Sequence, residues 1–300
     1  MKENNFNDYK DEIYPMFKNI LIPISSEFYN KEIFQTGKYL AKKFNSVINL
    51  VYIIEEKTLI QTEKSLNSYR TKFDKDETKK EIIRKNINLA DSIVFKDAKR
   101  VFSDEKINVN EEIINGEFSS VVKGQLNKYN FDLILMGFEK ECMLNYRLFD
   151  EVDIPIWIEM GKKKNCILTV CSNLAPNKKV PDISRSLSKI LNLDLHMIYV
   201  VDTQDSVSVD NNGVRSGKKT ENELITRGQQ FVLDMQKKGV DIHLLKGSIE
   251  KVTKKVAEDY KAGLVIIGRA QKRKNVFGIP TKGLKRKIAE SCDYSILFVH

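Results

Sequence analysis

No run of about eighteen apolar residues occurs anywhere in the chain, so no transmembrane helix is expected. The first sixteen residues, MKENNFNDYKDEIYPM, lack the apolar centre of a secretory signal and read as a polar leader. The four cysteines, Cys142, Cys166, Cys171 and Cys292, form no CxxC pair. Three of them lie in or beside apolar runs, as small core residues do, so reduced thiols and a cytoplasmic location are expected. His196, His243 and His300 are scattered, and none belongs to a metal-ligand pattern. The net charge of +9 suits anionic partners. Yet lysine outweighs arginine and there is no aromatic or arginine-rich recognition pattern, so nucleic acid is not the expected partner.

What the chain does have is an internal repeat. Residues 114–137, INGEFSSVVKGQLNKYNFDLILMG, align without a gap on 245–268, LKGSIEKVTKKVAEDYKAGLVIIG. Gly116 falls on Gly247, Tyr129 on Tyr260, and Gly137 on Gly268. The starts of the halves also correspond. NILIPISS (19–26) matches CILTVCS (166–172), each followed by a helical segment (30–44 and 182–192) and a second strand (48–56 and 193–202). DIPIWIEM (153–160) corresponds to YSILFVH (294–300). The strands are continuous apolar runs, as in a parallel sheet covered on both faces. The expected fold is therefore α/β, two tandem doubly wound units. Each is an open five-stranded parallel sheet with helices on both faces.

The border falls in GKKK near 161–164, giving a leader (1–16), a first unit (17–161) and a second (162–300). Helical spacing predicts long helices over 74–103 and 219–238. In the first, Ile82, Ile83, Ile87, Leu89, Ile93, Val94, Ala98 and Val101 form the apolar stripe. The polar, glycine-bearing stretch 203–220 reads as a mobile loop.

The order and duplication of these segments resemble the universal stress protein family in its tandem form. NILIPIS resembles the family's ILVPVD, FDLILMG and AGLVIIG resemble its DLIVMG strand, and GLKRKIAESCDYSILFV resembles its closing helix and strand. The resemblance implies a cytoplasmic regulatory or binding protein in which the last strand of each sheet joins the halves as a pseudo-dimer. Trp157 and Phe298 would help fill that interface, and further pairing to a homodimer stays open. The family's ATP binders carry a glycine loop, G-x2-G-x9-G-S/T, after the fourth strand and an Asp ending the first. Here Ser25 and Cys171 replace that Asp. The first half lacks further glycines after Gly137, carries acids, and is expected to be structural.

The second half keeps the loop length. The resemblance implies an ATP or AMP site there, with Mg²⁺ only alongside ATP. Cys171 lies at the strand-one end and Val200 and Val201 near the adenine. Gly268, Gln271, Lys272, Arg273, Gly278, Lys282 and Gly283 lie along the phosphates. The run from Arg269 to Ala289 supplies Arg269, Lys272, Arg273, Lys274, Lys282, Lys285, Arg286 and Lys287 with no acid. It reads as an anion site, as a solvated helix face, or as a patch for a protein partner.

GVRSGKKT (213–220) resembles a Walker A loop but is one residue short of its spacing. No catalytic constellation emerges: Ser25 and Ser26 lack a G-x-S-x-G setting, and Cys171 reads as a buried small residue rather than a reactive thiol. Asp202 and Asp205 read as solvated loop acids. A weak ATP-hydrolysing enzyme on the same fold is the rival from another class.

Overall fold

The computed structural model describes residues 17–25, 30–55, 72–137, 148, 152–161, 165–204, 206–210, 214–269 and 293–299. The first half contributes β1 (Asn19–Ser25), β2 (Val47–Glu55), β3 (Val109–Gly116), β4 (Leu133–Gly137) and β5 (Ile156–Glu159). The second contributes β6 (Cys166–Ser172), β7 (Asp194–Val201), β8 (Val207–Val209), β9 (Arg215–Lys218), β10 (His243–Lys246), β11 (Leu264–Gly268) and β12 (Ser295–Val299). The helices are α1 (Glu32–Phe44), α2 (Lys72–Leu89), α3 (Lys96–Phe102), α4 (Phe118–Lys128), α5 (Val180–Leu191), α6 (Glu221–Lys237) and α7 (Ile249–Asp259).

Ten strands form one sheet in the order β10-β7-β6-β11-β12-β5-β4-β1-β2-β3. Within each half every pair is parallel. The halves meet where β12 runs antiparallel to β5, with Leu297 opposite Trp157 and Phe298 opposite Ile156. So two five-stranded units fuse edge to edge into a continuous sheet. Trp157 and Phe298 are both buried at this seam.

Alternation along the strands explains the two layers. Ile20 and Ile22 enter a core under α1, α3, α5 and α6, whereas Leu21 enters one under α4 and α7. Asn45 and Asn192 end α1 and α5 in the left-handed conformation, φ 52° and 54°. Asparagine tolerates that region better than most residues, and its recurrence repeats the fold at the level of a single cap.

Three local expectations are corrected. The stretch 203–220 contains the antiparallel ribbon β8–β9, apart from the main sheet. Its strands are short, and a cross-strand Ser208–Ser216 hydroxyl pair (2.6 Å) and an Arg227 bond to Ser208 (3.0 Å) help hold it. The helix expected over 74–103 is interrupted by a π-helical stretch, Ala90–Phe95. Wider turns break the 3.6-residue period, and Leu89 and Ile93 come to face outward while Val94 and Ala98 stay buried. Asp202, expected in solvent, is buried.

Candidate functional site

The strand order reverses between β1 and β4 and again between β6 and β11. Open α/β sheets bind ligands at such switch points, beyond the strand C-termini. Ten site residues were expected at the second of these. Gln271, Lys272, Arg273, Gly278, Lys282 and Gly283 lie outside the described residues. The other four are placed. Cys171, Val200 and Val201 are buried, with Cys171 and Val201 in one core layer and Val200 in the other. None of the three offers a side chain to a ligand.

Gly268 ends β11 at the switch point, and its environment is set by the chain's own backbone. A Cβ at Gly268 would lie 1.8 Å from the carbonyl oxygen of Pro176. The glycine here admits the segment that follows β6. That segment is a tight turn: Ala175 N–H donates to the Ser172 carbonyl (3.3 Å), Leu174 N–H to Ser172 Oγ (3.2 Å), and the Asn177 amide bonds the Ser172 backbone both ways (3.1 and 2.8 Å). Residues 172–176 are all buried, and Leu174 and Ala175 join the core under α4 and α7.

A buried polar network locks this turn in place, and sequence reading missed it. The Asn173 side chain donates to the carbonyls of Asp202 (3.1 Å) and Val207 (2.8 Å) and accepts from Asp202 N–H (2.7 Å). The Asp202 carboxylate accepts from Ile249 N–H at the start of α7 (2.8 Å) and from Gln204 N–H (2.9 Å). A carboxylate at a helix N-terminus meets unpaired amides and the positive end of the dipole. The network joins β6, β7, β8 and α7. The available signal was an acid closing an apolar strand, but its amide partner lies 47 positions away.

Arg269 does not point into the crevice either. Its guanidinium is buried and donates to the carbonyls of Val152 and, at 3.4 Å, Ile154. The first cation of the basic run therefore bonds the end of the first half. The first-half crevice differs. A cavity of about 40 Å³ is lined by Ser25, Asn30, Met136 and Gly137, among others. Ser25 donates to Glu55 (2.6 Å). Ligand pockets run to about 300–1,000 Å³, so this space suits water rather than a nucleotide.

Catalytic chemistry finds little support among the described residues. Burial pushes the Cys171 thiol well above its usual range, and low-pKa thiolates are what react. The Cys166 thiol is raised by burial and by Asp194. No cluster of three or more His, Cys, Asp or Glu that could hold a metal exists among the described residues. No described helix is long and apolar enough to cross a membrane. Thr220, the last residue of the Walker-like stretch, is the N-cap of α6. Its hydroxyl accepts from Glu223 N–H (3.3 Å) and the Glu223 carboxylate accepts from Thr220 N–H (2.7 Å). This is a capping box.

Residues 16–153 match the model of the Universal stress protein family. No curated protein matches the chain in sequence. Solved structures are similar along almost the whole length. One, from Pseudomonas aeruginosa and assigned to the universal stress proteins, has a TM-score of 0.63 at 12% identity, covering 95% of this chain and 94% of its own. A universal stress protein from Archaeoglobus fulgidus has a TM-score of 0.60 at 12% identity, covering 96% of this chain and 97% of its own. At such identity the likeness is one of fold.

Proposed function

The chain belongs, through residues 16–153, to the universal stress protein family, and from that premise we propose that it is a noncatalytic cytoplasmic binding and regulatory module that works without a nucleotide in its second half. The observation that carries this reading is the Gly268–Pro176 contact. The backbone approach that a phosphate would need is taken by the chain's own turn. That turn is tied to β7, β8 and α7 by Asn173 and Asp202. A partner of this module would be an acidic protein surface drawn by the cations of 272–287, with affinity falling as salt rises.

The test is mass spectrometry of small molecules released from gently purified protein, followed by calorimetric titration with ATP and AMP, with and without Mg²⁺. The expected result is no co-purified nucleotide and no binding heat up to about 1 mM, the weak end of the affinity scale. Near-stoichiometric ATP or AMP overturns it.

A second reading is favoured by the loop length and by the acid-free cation run from Arg269 to Ala289. In it an adenine nucleotide displaces the 173–177 turn and Lys272, Arg273 and Lys282 hold its phosphates. Pro176→Gly, which loosens the turn, then strengthens ATP binding, and Lys272→Ala with Lys282→Ala abolishes it.

A further inference from the structure

A cleft of about 530 Å³ opens on the first half, at the opposite end of the sheet from the switch-point crevice. It lies at the start of β1 and β2, beneath the end of α4. Its floor carries Asn19, Asn49 and Asn110; its wall carries Gln125, Tyr129 and Asn130. The volume falls within the range of small-molecule sites, about 300–1,000 Å³.

The repeat shows that the cleft is not a by-product of the fold. Asn19 pairs with Val47 on the neighbouring strand as Cys166 pairs with Asp194, so Asn49 corresponds to His196. Tyr129 corresponds to Tyr260. In the second half those two rings stack, with centroids 3.9 Å apart and planes 20° from parallel. Cys166 donates to the Tyr260 carbonyl beneath them (3.3 Å). In the first half the histidine is an asparagine, so no ring from that position stacks on Tyr129, although Tyr129 and Tyr260 are similarly exposed (49% and 43%).

The lining selects a chemistry. Side-chain amides can donate and accept at once, which suits vicinal hydroxyls. Of the two carboxylates near the cleft, Glu112 accepts from Gln125 (2.9 Å), whereas Glu111 pairs with Lys99 of α3 (3.1 Å) on the opposite face of the sheet. Glu112 repels an anion, and its bond from Gln125 leaves little demand for a cation. No lysine or arginine is among the described lining residues. Tyr129 supplies an apolar ring face. Lys128 lies over that ring at 5.4 Å, an exposed cover that a ligand can displace. We propose that this cleft is a binding site for a small neutral polyhydroxylated ring, the chemistry of a sugar.

Saturation-transfer NMR on the full chain tests it, with glucose, galactose and mannose as probes at about 10 mM, a concentration suited to weak binding. Glucose 6-phosphate is the anionic control. At least one neutral hexose should receive saturation, and the phosphate should bind about tenfold more weakly than glucose. Asn49→His, which installs the second half's stacking ring, and the exposed Tyr129→Ala should each weaken binding about tenfold or more. Silence from all three hexoses overturns the proposal. So does equal or tighter binding of glucose 6-phosphate, or full binding by Tyr129→Ala. Should Asn49→His fail to fold, Tyr129→Ala decides the matter alone.

Discussion

Asp202 shows how one side chain can support two elements at once. Its carboxylate serves the first amide of α7 while its backbone is gripped by Asn173, so the turn over Gly268 and the start of a helix share one support. Replacing it by alanine leaves buried amides without an acceptor, and such losses run to about 1–3 kcal/mol. Asp202→Ala should therefore lower the urea midpoint by a corresponding amount with the slope unchanged. The aromatic and thiol pair behind the crevice gives a pH signature. Tyr199 is pushed up to about 12 from its ordinary 10.0, by burial first and by the neighbouring Cys171 second, with Arg227 opposing. Cys171 is raised by burial. Both groups stay neutral in the folded state at a pH where the unfolded chain has released its protons. Their contribution is thus intact below about pH 9 and is lost as pH rises towards 12. Denaturation midpoints measured from pH 8 to 11 should fall, and Tyr199→Phe should flatten the upper part of that fall. The thiol itself should resist iodoacetamide at pH 8 in the folded protein, as read by peptide mapping.

Elements whose sequence pattern agrees with their burial were legible, and those held by distant partners were not. The main strands read correctly because a strand covered on both faces is an unbroken apolar run. Helix α6 was legible from its stripe, since Leu224 and Met235 are buried where helical spacing puts them. Its N-cap was legible only as a near-miss to a phosphate loop. Thr220→Ala removes the capping box and should cost about 1 kcal/mol, seen as a lower melting temperature by circular dichroism. Farther along α6, Gly228 has no turn to make. A Cβ there would lie 2.8 Å from Leu244 Cδ1 and 2.9 Å from the Tyr199 ring. Alanine gains about 1 kcal/mol of helix propensity over glycine, but overpacking costs about 1–3 kcal/mol, and the Tyr199 ring is buried. Gly228→Ala should therefore destabilise on balance, and Gly228→Val more so. The ribbon β8–β9 escaped sequence reading because its strands are three and four residues long, too short for alternation to speak. The contact of the 172–176 turn with Gly268 escaped for another reason. SNLAPN announces a turn, but nothing local announces that the turn rests on Gly268.

At the scale of the whole molecule the question is what makes one sheet of two halves. The repeat predicted two units, the family resemblance implied the edge role of their last strands, and β5 does pair with β12. The polar centre of the seam was not predicted. Glu159 is 1% exposed and accepts from Thr36 on α1 (2.8 Å), from Trp157 Nε1 (3.1 Å), from Gly161 N–H (2.9 Å) and from Ser295 on β12 (2.9 Å). A buried carboxylate is tolerated only when its lone pairs are satisfied, and these donors come from both halves. Removing the acceptor strands them together, so Glu159→Ala should cost about 1–3 kcal/mol, the scale of buried donors left unsatisfied. The loss is local to a seam of three paired residues on each strand, while the parallel pairing within each half is untouched. The halves should then unfold apart. Trp157 is the chain's one tryptophan, so its fluorescence reports the seam while far-ultraviolet circular dichroism reports all helices. In the parent protein the two urea transitions should coincide, as one cooperative unit requires. In Glu159→Ala the fluorescence transition should move to lower urea and separate from the dichroism. A single coincident transition in the variant, merely shifted, would mean that the apolar contact between β5 and β12 and the core layers that run across it couple the halves without the carboxylate.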